Sequence, residues 1–426
     1  MKFKIYFFVA VYAFLLPSTS GAEYKAVFTP GISITGEYTD NVNLSDDNEE
    51  SDYITTISPE FDLEISKKNR GIIISYEPGY SIYEKNASYN TWRQSAQFLG
   101  WADISKRTKI EFNDSLDYSE EPISEEDTTV RKGREPYFTN SAGINLSHQP
   151  GKSDFISMGY VYSILENKDQ DIEDNAKHNP SMTYSHKFNP YLSLDTDVSY
   201  IRGEFEVSDD FDNWDVSLAL TRKFTKYLDG SIRYSNTIMD YKGDSEDYII
   251  YDSSIGMNYI IAEDTLFSLN AGYFIQDREK SDDESGLTID GNLGKTWRFK
   301  RGSVNITGAS GYDESYFGAE SLGFDIFYQA EGTATYAFTR YLSGNIDGSY
   351  RSDTYVNLDP ERTDRTKNAG LGLTFRSPIR WLPVSIELSY LYYSVDSSLS
   401  ENDYEDQRVQ VDVSISKTFS KPIRLN

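Results

Sequence analysis

The residues from Arg408 to Phe419 alternate between apolar and polar side chains. A period of two predicts a β-strand with one face against an apolar phase and the other against water. The apolar face carries Val409, Val411, Val413 and Ile415, and Phe419 ends the row. A tilted strand of about 9–11 residues crosses a bilayer, but only within a closed barrel. The edge strand of a soluble β-sandwich alternates in the same way, so this segment alone leaves both structures open.

Similar alternating segments recur along the chain from Ile32 onward, and their connections differ in length and charge. Short connections such as 66–71, 148–152 and 299–302 are basic, whereas long ones such as 40–52, 119–135, 166–177, 203–213 and 353–365 are acidic. Outer-membrane barrels have short periplasmic turns and long extracellular loops. A β-sandwich gives no reason for length and charge to sort together. We therefore predict an all-β fold: a single transmembrane, antiparallel, up-and-down β-barrel of about 20 strands, with 18 or 22 as alternatives.

The N-terminus has the composition of a secretory signal peptide. Lys2 and Lys4 precede an apolar run from Ile5 to Leu16, and the small residues Ser20-Gly21-Ala22 follow. This pattern predicts a signal peptide over residues 1–22 and an outer-membrane barrel over residues 23–426. We expect the long acidic loops to be extracellular and the short basic turns to be periplasmic.

The composition excludes several functional classes. The chain has no cysteine, so it forms neither a disulfide framework nor a thiolate metal site. Its formal net charge of −27 argues against a nucleic-acid partner. Its 34 tyrosines and 23 phenylalanines, without a long apolar run, suit strands that are apolar on one face only.

A Phe-x-x-Tyr-Leu segment recurs at the short connections, beginning at Phe188, Phe224 and Phe338. Aromatic side chains at strand ends form rings at the membrane interface. The predicted interface aromatics at this end of the barrel are Phe188, Tyr191, Phe224, Tyr227, Phe338, Tyr341 and Phe419. We expect Trp92, Trp214, Tyr118, Tyr162 and Tyr273 to contribute to the ring at the other end.

Several segments resemble the putative β-barrel porin 2 family. They are Tyr38-Thr39-Asp40-Asn41-Val42, then Asp52, then Ile57-Ser58-Pro59, then Tyr76-x-Pro78-x-Tyr80, together with the Phe-x-x-Tyr-Leu turns. The resemblance spans most of the chain, and its more specific part runs from Tyr38 to Tyr80. It implies an outer-membrane barrel that is porin-like or associated with exopolysaccharide loci, and it implies no catalytic residues.

Catalytic and metal chemistry find little support in the sequence. We place His148 and His186 at short turns and His178 near a long loop, so the three histidines do not cluster. We predict no enzyme activity, no cofactor and no metal site. Acidic loops such as 46–50 and 282–284 have the oxygen ligands that divalent cations take, but their spacing matches no calcium loop. Solvated charge is the favoured interpretation.

The polar faces of the strands predict the lining of a water-filled pore, since a barrel of this strand number encloses a lumen. The predicted pore-lining residues are Glu60, Asp62, Glu64, Glu77, Arg93, Glu111, Asp117, Asp195, Asp197, Asp215, Arg233, Asp252, Asp290, Asp325, Glu331, Asp347, Arg351, Glu387 and Asp412. Acidic residues dominate this set.

Two hypotheses of function remain open. The first is a passive, acidic channel that weakly favours cations. The second is a component of an exopolysaccharide synthesis or export system that binds or guides the polymer. Expected partners are outer-membrane lipid, lipopolysaccharide and the barrel-assembly machinery, with polysaccharide-export proteins under the second hypothesis and no nucleic acid under either.

Overall fold

A computed structural model describes residues 23–122, 133–169, 172–297, 301–317, 322–356, 358, 360–379 and 383–424. The predicted signal peptide, residues 1–22, lies outside the described residues. No described residue belongs to a helix that is long and apolar enough to span a bilayer.

The described residues fold almost entirely into β-strands. The strands are β1 (Glu23–Thr39), β2 (Asp52–Lys67), β3 (Arg70–Tyr83), β4 (Thr91–Ser105), β5 (Thr108–Ser119), β6 (Tyr137–His148), β7 (Asp154–Asn167), β8 (Asn175–Asn189), β9 (Leu192–Phe205), β10 (Phe211–Lys223), β11 (Leu228–Tyr241), β12 (Tyr248–Ala262), β13 (Thr265–Arg278), β14 (Glu284–Trp297), β15 (Gly302–Ser315), β16 (Gly323–Ala337), β17 (Leu342–Tyr355), β18 (Arg362–Arg376), β19 (Val384–Ser397), β20 (Tyr404–Ser416) and β21 (Phe419–Arg424). Two short 3₁₀ turns cover Ala87–Tyr89 and Ser400–Asn402.

The sheet closes between its first and last strands. From β1 to β20, each strand pairs antiparallel with the next along the chain, and β1 also pairs with β20 and β21. β21 continues the path of β20 beyond a break at Lys417–Thr418, so the two act as one strand of the wall. The predicted antiparallel barrel of about 20 strands is confirmed.

Alternation along the strands sorts side chains between the two faces of the wall. Val413 lies opposite Ile34 of β1 and Ile386 of β19, and all three are exposed on the external face. Polar pairs interrupt the apolar external row in places: Asn140 of β6, for example, donates a hydrogen bond to Asp114 of β5 at 2.6 Å. An apolar external face and a polar inner face are the arrangement of a transmembrane barrel.

The repeated Phe-x-x-Tyr-Leu segments form short turns with the same local bonding. Thr225 Oγ1 accepts hydrogen bonds from the backbone N–H groups of Tyr227 and Leu228 at 3.1 and 3.0 Å, and Thr339 does the same in its turn. In the first copy, Asn189 occupies the position of the threonine. Its Oδ1 accepts a hydrogen bond from the backbone N–H of Tyr191 at 2.8 Å. The residue after the phenylalanine therefore closes each turn by side-chain-to-backbone bonding, as Asn and Thr commonly do.

Some of the long connections are shorter than the sequence predicts, whereas those after β1 and β5 have nearly the predicted length. The segment predicted as a loop over 203–213 contains only residues 206–210 between β9 and β10, and that over 353–365 contains only 356–361. The strands continue above their apolar stretch because backbone pairing needs no apolar side chains. Hydrophobic alternation therefore marks the membrane-spanning part of a strand and misses its polar end.

Acidic side chains connect neighbouring long loops to one another. In each case a carboxylate accepts a hydrogen bond from a backbone N–H group of the next loop along the chain. The pairs are Glu173 with Ser208, Asp209 with Ser245, and Glu246 with Ser281, at 2.8, 2.8 and 2.7 Å. Part of the acidic charge of this end thus holds the loops in place, in addition to being solvated.

Candidate functional site

Contacts between strands that are not neighbours in the wall identify the inside of the barrel. Asn213 of β10 donates a hydrogen bond to Glu314 of β15 at 3.0 Å. Arg408 of β20 lies 3.5 Å from the carboxylate of Glu121, which follows β5. Such groups meet only across the lumen. The strand faces that carry Asn213 and Arg408 are therefore inner faces.

The pairing registers extend this assignment around the wall, because directly opposite residues share a face. Asp412 lies opposite Thr35 of β1 and Glu387 of β19, and Glu60 lies opposite Gly31. By this register the residues predicted to line the pore all lie on the inner face: Glu60, Asp62, Glu64, Glu77, Arg93, Glu111, Asp117, Asp195, Asp197, Asp215, Arg233, Asp252, Asp290, Asp325, Glu331, Asp347, Arg351, Glu387 and Asp412.

Hydroxyl groups on neighbouring strands hold several of these carboxylates. Thr35 donates a hydrogen bond to Asp412 at 3.0 Å, Thr183 donates one to Asp197 at 2.8 Å, and Ser185 donates one to Asp195 at 2.5 Å. A hydroxyl donor satisfies a carboxylate oxygen without cancelling its charge. The inner wall therefore presents fixed negative charges.

The segment after β5 folds into the lumen and meets three arginines. Glu121 forms ion pairs with Arg93 of β4, with Arg134 of its own loop at 3.0 Å, and with Arg408 of β20 at 3.5 Å. Burial raises the pKa of Glu121, but Arg134, Arg93 and Arg408 outweigh that effect and lower this pKa to about 2. Glu121 thus stays ionised and ties the loop to two parts of the wall. We call these four residues the arginine latch.

The loop between β1 and β2 also folds inward and supports the latch. Leu44 packs against Val395 of β19, and Val42 packs against Ile54 of β2. Arg134 Nε donates a hydrogen bond to the carbonyl oxygen of Val42 at 2.8 Å. The two inward loops therefore cover the inner wall from β19 round to β5 at the long-loop end.

Beneath the latch, the inner wall of β1–β5 contains a cavity of about 250 Å³. Its lining includes Glu37, Glu77, Arg93, Asp117 and Glu121. Carboxylates outnumber the single guanidinium in this set, so the cavity is acidic.

The ends of β15 and β16 fold inward from another part of the wall. We call residues 311–317 and 322–326 the β15–β16 tip. The ring centroid of Tyr312 lies 4.8 Å from that of Phe274, and Tyr316 lies 4.9 Å from Phe211. Both phenylalanines belong to the inner wall. The tip therefore packs as an apolar cluster inside the barrel and narrows the lumen at the long-loop end.

An acidic group lies beside this tip. Arg351 contacts Asp313 at 3.3 Å, Asp325 at 3.5 Å and Asp353 at 2.6 Å. Three acidic side chains surround one guanidinium, so acidic groups outnumber basic groups at the narrowed level as well.

A closed barrel with an apolar external face and a polar interior is the architecture of outer-membrane porins. The sequence matches the family model described as Putative beta-barrel porin 2 over residues 26–155 and 268–417. The chain belongs to that family. It is therefore a porin-like β-barrel of the outer membrane, and its fold and family point to a channel rather than an enzyme.

Solved structures that are similar to this family member have low sequence identity to it. OpdK of Pseudomonas aeruginosa, crystallised with vanillate, is 9% identical, with a TM-score of 0.44 over 92% of this chain and 99% of that chain. OccAB4 of Acinetobacter baumannii is 14% identical, with a TM-score of 0.42 over 95% and 100%. OccK2 (OpdF) of Pseudomonas aeruginosa is 12% identical, with a TM-score of 0.45 over 92% and 98%. No curated protein sequence matches this chain. The family match alone carries the identification.

The aromatic residues predicted at the membrane interface lie at or beside the short turns of the porin-family barrel, except Phe419, which starts β21. They are Phe188, Tyr191, Phe224, Tyr227, Phe338, Tyr341 and Phe419. Basic side chains accompany them, such as Lys226 over Tyr227 and Arg340 over Tyr341, at 4.6 and 4.5 Å from the ring centroids. Basic and aromatic side chains together suit the polar boundary of a membrane.

Within the part of the chain that the structure describes, no three His, Asp or Glu side chains converge as metal ligands. The histidines lie apart: His148 contacts Thr108, His178 contacts Tyr160, and His186 contacts Asp154. The three histidines therefore do not form a cluster.

Proposed function

We propose that the protein is a water-filled diffusion channel that weakly favours cations, with its long-loop end extracellular and its short turns periplasmic. The observation that supports this proposal is the sign of the charge on the inner face, where carboxylates outnumber basic groups. A channel with charge of one sign and low-dielectric walls concentrates the opposite ion.

Two of the three arginines predicted to line the pore, Arg93 and Arg351, form ion pairs with neighbouring carboxylates. Arg93 lies 2.6 Å from Glu120, and Arg351 lies 2.6 Å from Asp353. In the described part of the chain, by contrast, Glu60, Asp62 and Glu64 of β2 form no ion pair. The uncompensated charge of the lumen is therefore negative.

The substitution Glu60→Gln, Asp62→Asn, Glu64→Gln tests this proposal. We expect the triple variant to assemble normally and to show a smaller cation preference, because it removes negative charge from one strand of the inner wall. The measurement is the reversal potential across a salt gradient in a planar bilayer. The preference should also fall with ionic strength, since the Debye length shortens from about 10 Å at 0.1 M to about 3 Å at 1 M.

The matched control removes three charges from an exposed loop. Glu279→Gln, Asp282→Asn, Asp283→Asn, in the loop between β13 and β14, should leave the reversal potential near that of the unmodified protein. An anion preference of the unmodified channel would reject the proposal. Equal effects of the two triple variants would also reject it, because the lumen would then have no special role.

A further inference from the structure

The wall of the barrel has a seam between β14 and β15. Their ladder runs from the pair Trp297–Gly302 to the pair Ile289–Ser310, where it ends in the described part of the sheet. Above that point β14 remains paired with β13, and β15 remains paired with β16. Residues 285–288 of β14 and 311–314 of β15 therefore share no ladder in the described sheet.

Below the seam, the external row of β15 points outward; above the seam, the same row points into the barrel. Val304 and Ile306 belong to the external row, and alternation assigns Tyr312 and Glu314 to that same row. Instead, Glu314 accepts hydrogen bonds from Tyr248 at 2.5 Å and from Asn213 at 3.0 Å, both on the inner wall. The tip has curled inside the barrel, and its external row now packs on the inner face of β10–β13.

The inner wall is apolar where the tip contacts it. Phe211, Met239, Ile250 and Phe274 are buried in one cluster with Tyr316 of the tip. Apolar side chains are unusual on the inner face of a water-filled barrel, which is ordinarily polar. Their presence is explained by the tip that covers them.

The same tip also fits a second position. Continued upward, the β14–β15 register would place Leu287 opposite Tyr312, Ser285 opposite Glu314, and Glu284 opposite Ser315. Tyr312 would then lie on the external face at the level of Tyr273, which pairs with Leu287. Both positions thus respect the alternation of the strand: one packs the external row on the inner wall, and the other exposes it to lipid.

We propose that the β15–β16 tip is a gate. It is closed when it packs against β10–β13 and open when the upper part of β15 forms a ladder with β14. Gly311 follows the last ladder residue, Ser310, and a Cβ built on it would lie 4.0 Å from the Cβ of Thr288, so the two strands are still adjacent here and separate beyond it. Closing buries the apolar inner wall. Opening restores backbone hydrogen bonds at the seam, where unpaired groups near lipid are costly. The gate rests on the proposed function, since it controls passage through a conducting lumen.

A cysteine pair across the seam tests the gate, and the chain has no other cysteine to interfere. In the open register Glu284→Cys and Ser315→Cys would be directly opposite, with Cβ atoms about 4.5–5.5 Å apart, close to the spacing a disulfide needs. We expect oxidation of the folded protein to form this disulfide and to raise its single-channel conductance, and reduction to restore the original value. Heat-modifiable migration in detergent gels verifies that the variant is folded.

The control pair is Thr288→Cys with Gly311→Cys, whose Cβ atoms are adjacent in the closed structure. It should oxidise readily without changing the conductance. The gate is overturned if the Glu284→Cys/Ser315→Cys pair stays reduced while the control pair oxidises, or if its disulfide forms and the conductance does not change. A protein that conducts no ions in any state contradicts the proposed function instead, and disulfide formation then decides separately whether the tip moves.

Discussion

Replacing Val413 by arginine is expected to prevent most of the chain from assembling into a folded barrel. Val413 lies on the external face of β20, opposite Ile34 and Ile386. Arginine near the middle of a lipid-facing strand costs about 2–4 kcal/mol, a large part of the stability of a typical protein domain. β20 also closes the barrel by pairing with β1 and β19. If β20 does not insert, the edges of those two strands remain unpaired. The measurement is the fraction of heat-modifiable protein recovered from outer membranes.

The neighbouring residue supplies the control. Ser414 lies opposite Ser33 and Ser385 on the inner face, where an arginine reaches water. Ser414→Arg should therefore assemble at nearly the normal level. Equal tolerance of the two substitutions would mean that the strand is not embedded in lipid or that its faces are reversed.

Glu121→Gln is expected to release the loop after β5 from the wall. The substitution removes the carboxylate that Arg93, Arg134 and Arg408 share. Arg93 keeps Glu120 and Arg408 keeps Asp406 as partners, so the main loss is at the buried Arg134. Removing the partner of a buried charge typically costs up to about 3–5 kcal/mol. The side chain of Arg134 is buried in the latched state, so we expect trypsin to cut after Arg134 in the variant and to spare it in the unmodified protein. Mass spectrometry identifies the cleavage site.

The control is Glu135→Gln, which removes an exposed carboxylate from the same loop. It should leave Arg134 protected. The latch should also respond to acid. The pKa of Glu121 falls from 4.5 to about 2 in the folded protein. The contribution of Glu121 to the stability of the latch is therefore complete above pH 4.5 and is lost as the pH falls toward 2. Cleavage of the unmodified protein and of Glu121→Gln at equal rates near neutral pH would contradict the latch.

The sequence predicts the barrel and its faces because both follow from local alternation. Once the sheet closes, each residue's face is set by whether its position is odd or even within its strand. Alternation alone is therefore enough to assign Asp412 and Glu60 to the lumen. Arg408 has the same parity as Asp412, so the same rule would have identified it as a further inner residue.

The inward folding of loops could not be predicted in this way. Arg134 and Glu121 lie in a segment without period, and their meeting with Arg408 depends on a loop path that local sequence does not specify. The β15–β16 tip shows a further limit of prediction from sequence periodicity. Alternation assigns Tyr312 to the external row, and it does lie in that row, but the curl of the strand turns the upper part of the row onto the inner wall of β10–β13. Periodicity specifies which residues share a face, and tertiary packing decides where that face points.

Conductance of the purified, refolded protein in a planar bilayer tests the central claim most directly. We predict stable ion-conducting steps and a reversal potential that indicates cation preference at low salt, declining as the salt concentration rises. A folded, heat-modifiable barrel that conducts no ions would contradict a diffusion channel and would favour a structural role in polysaccharide export.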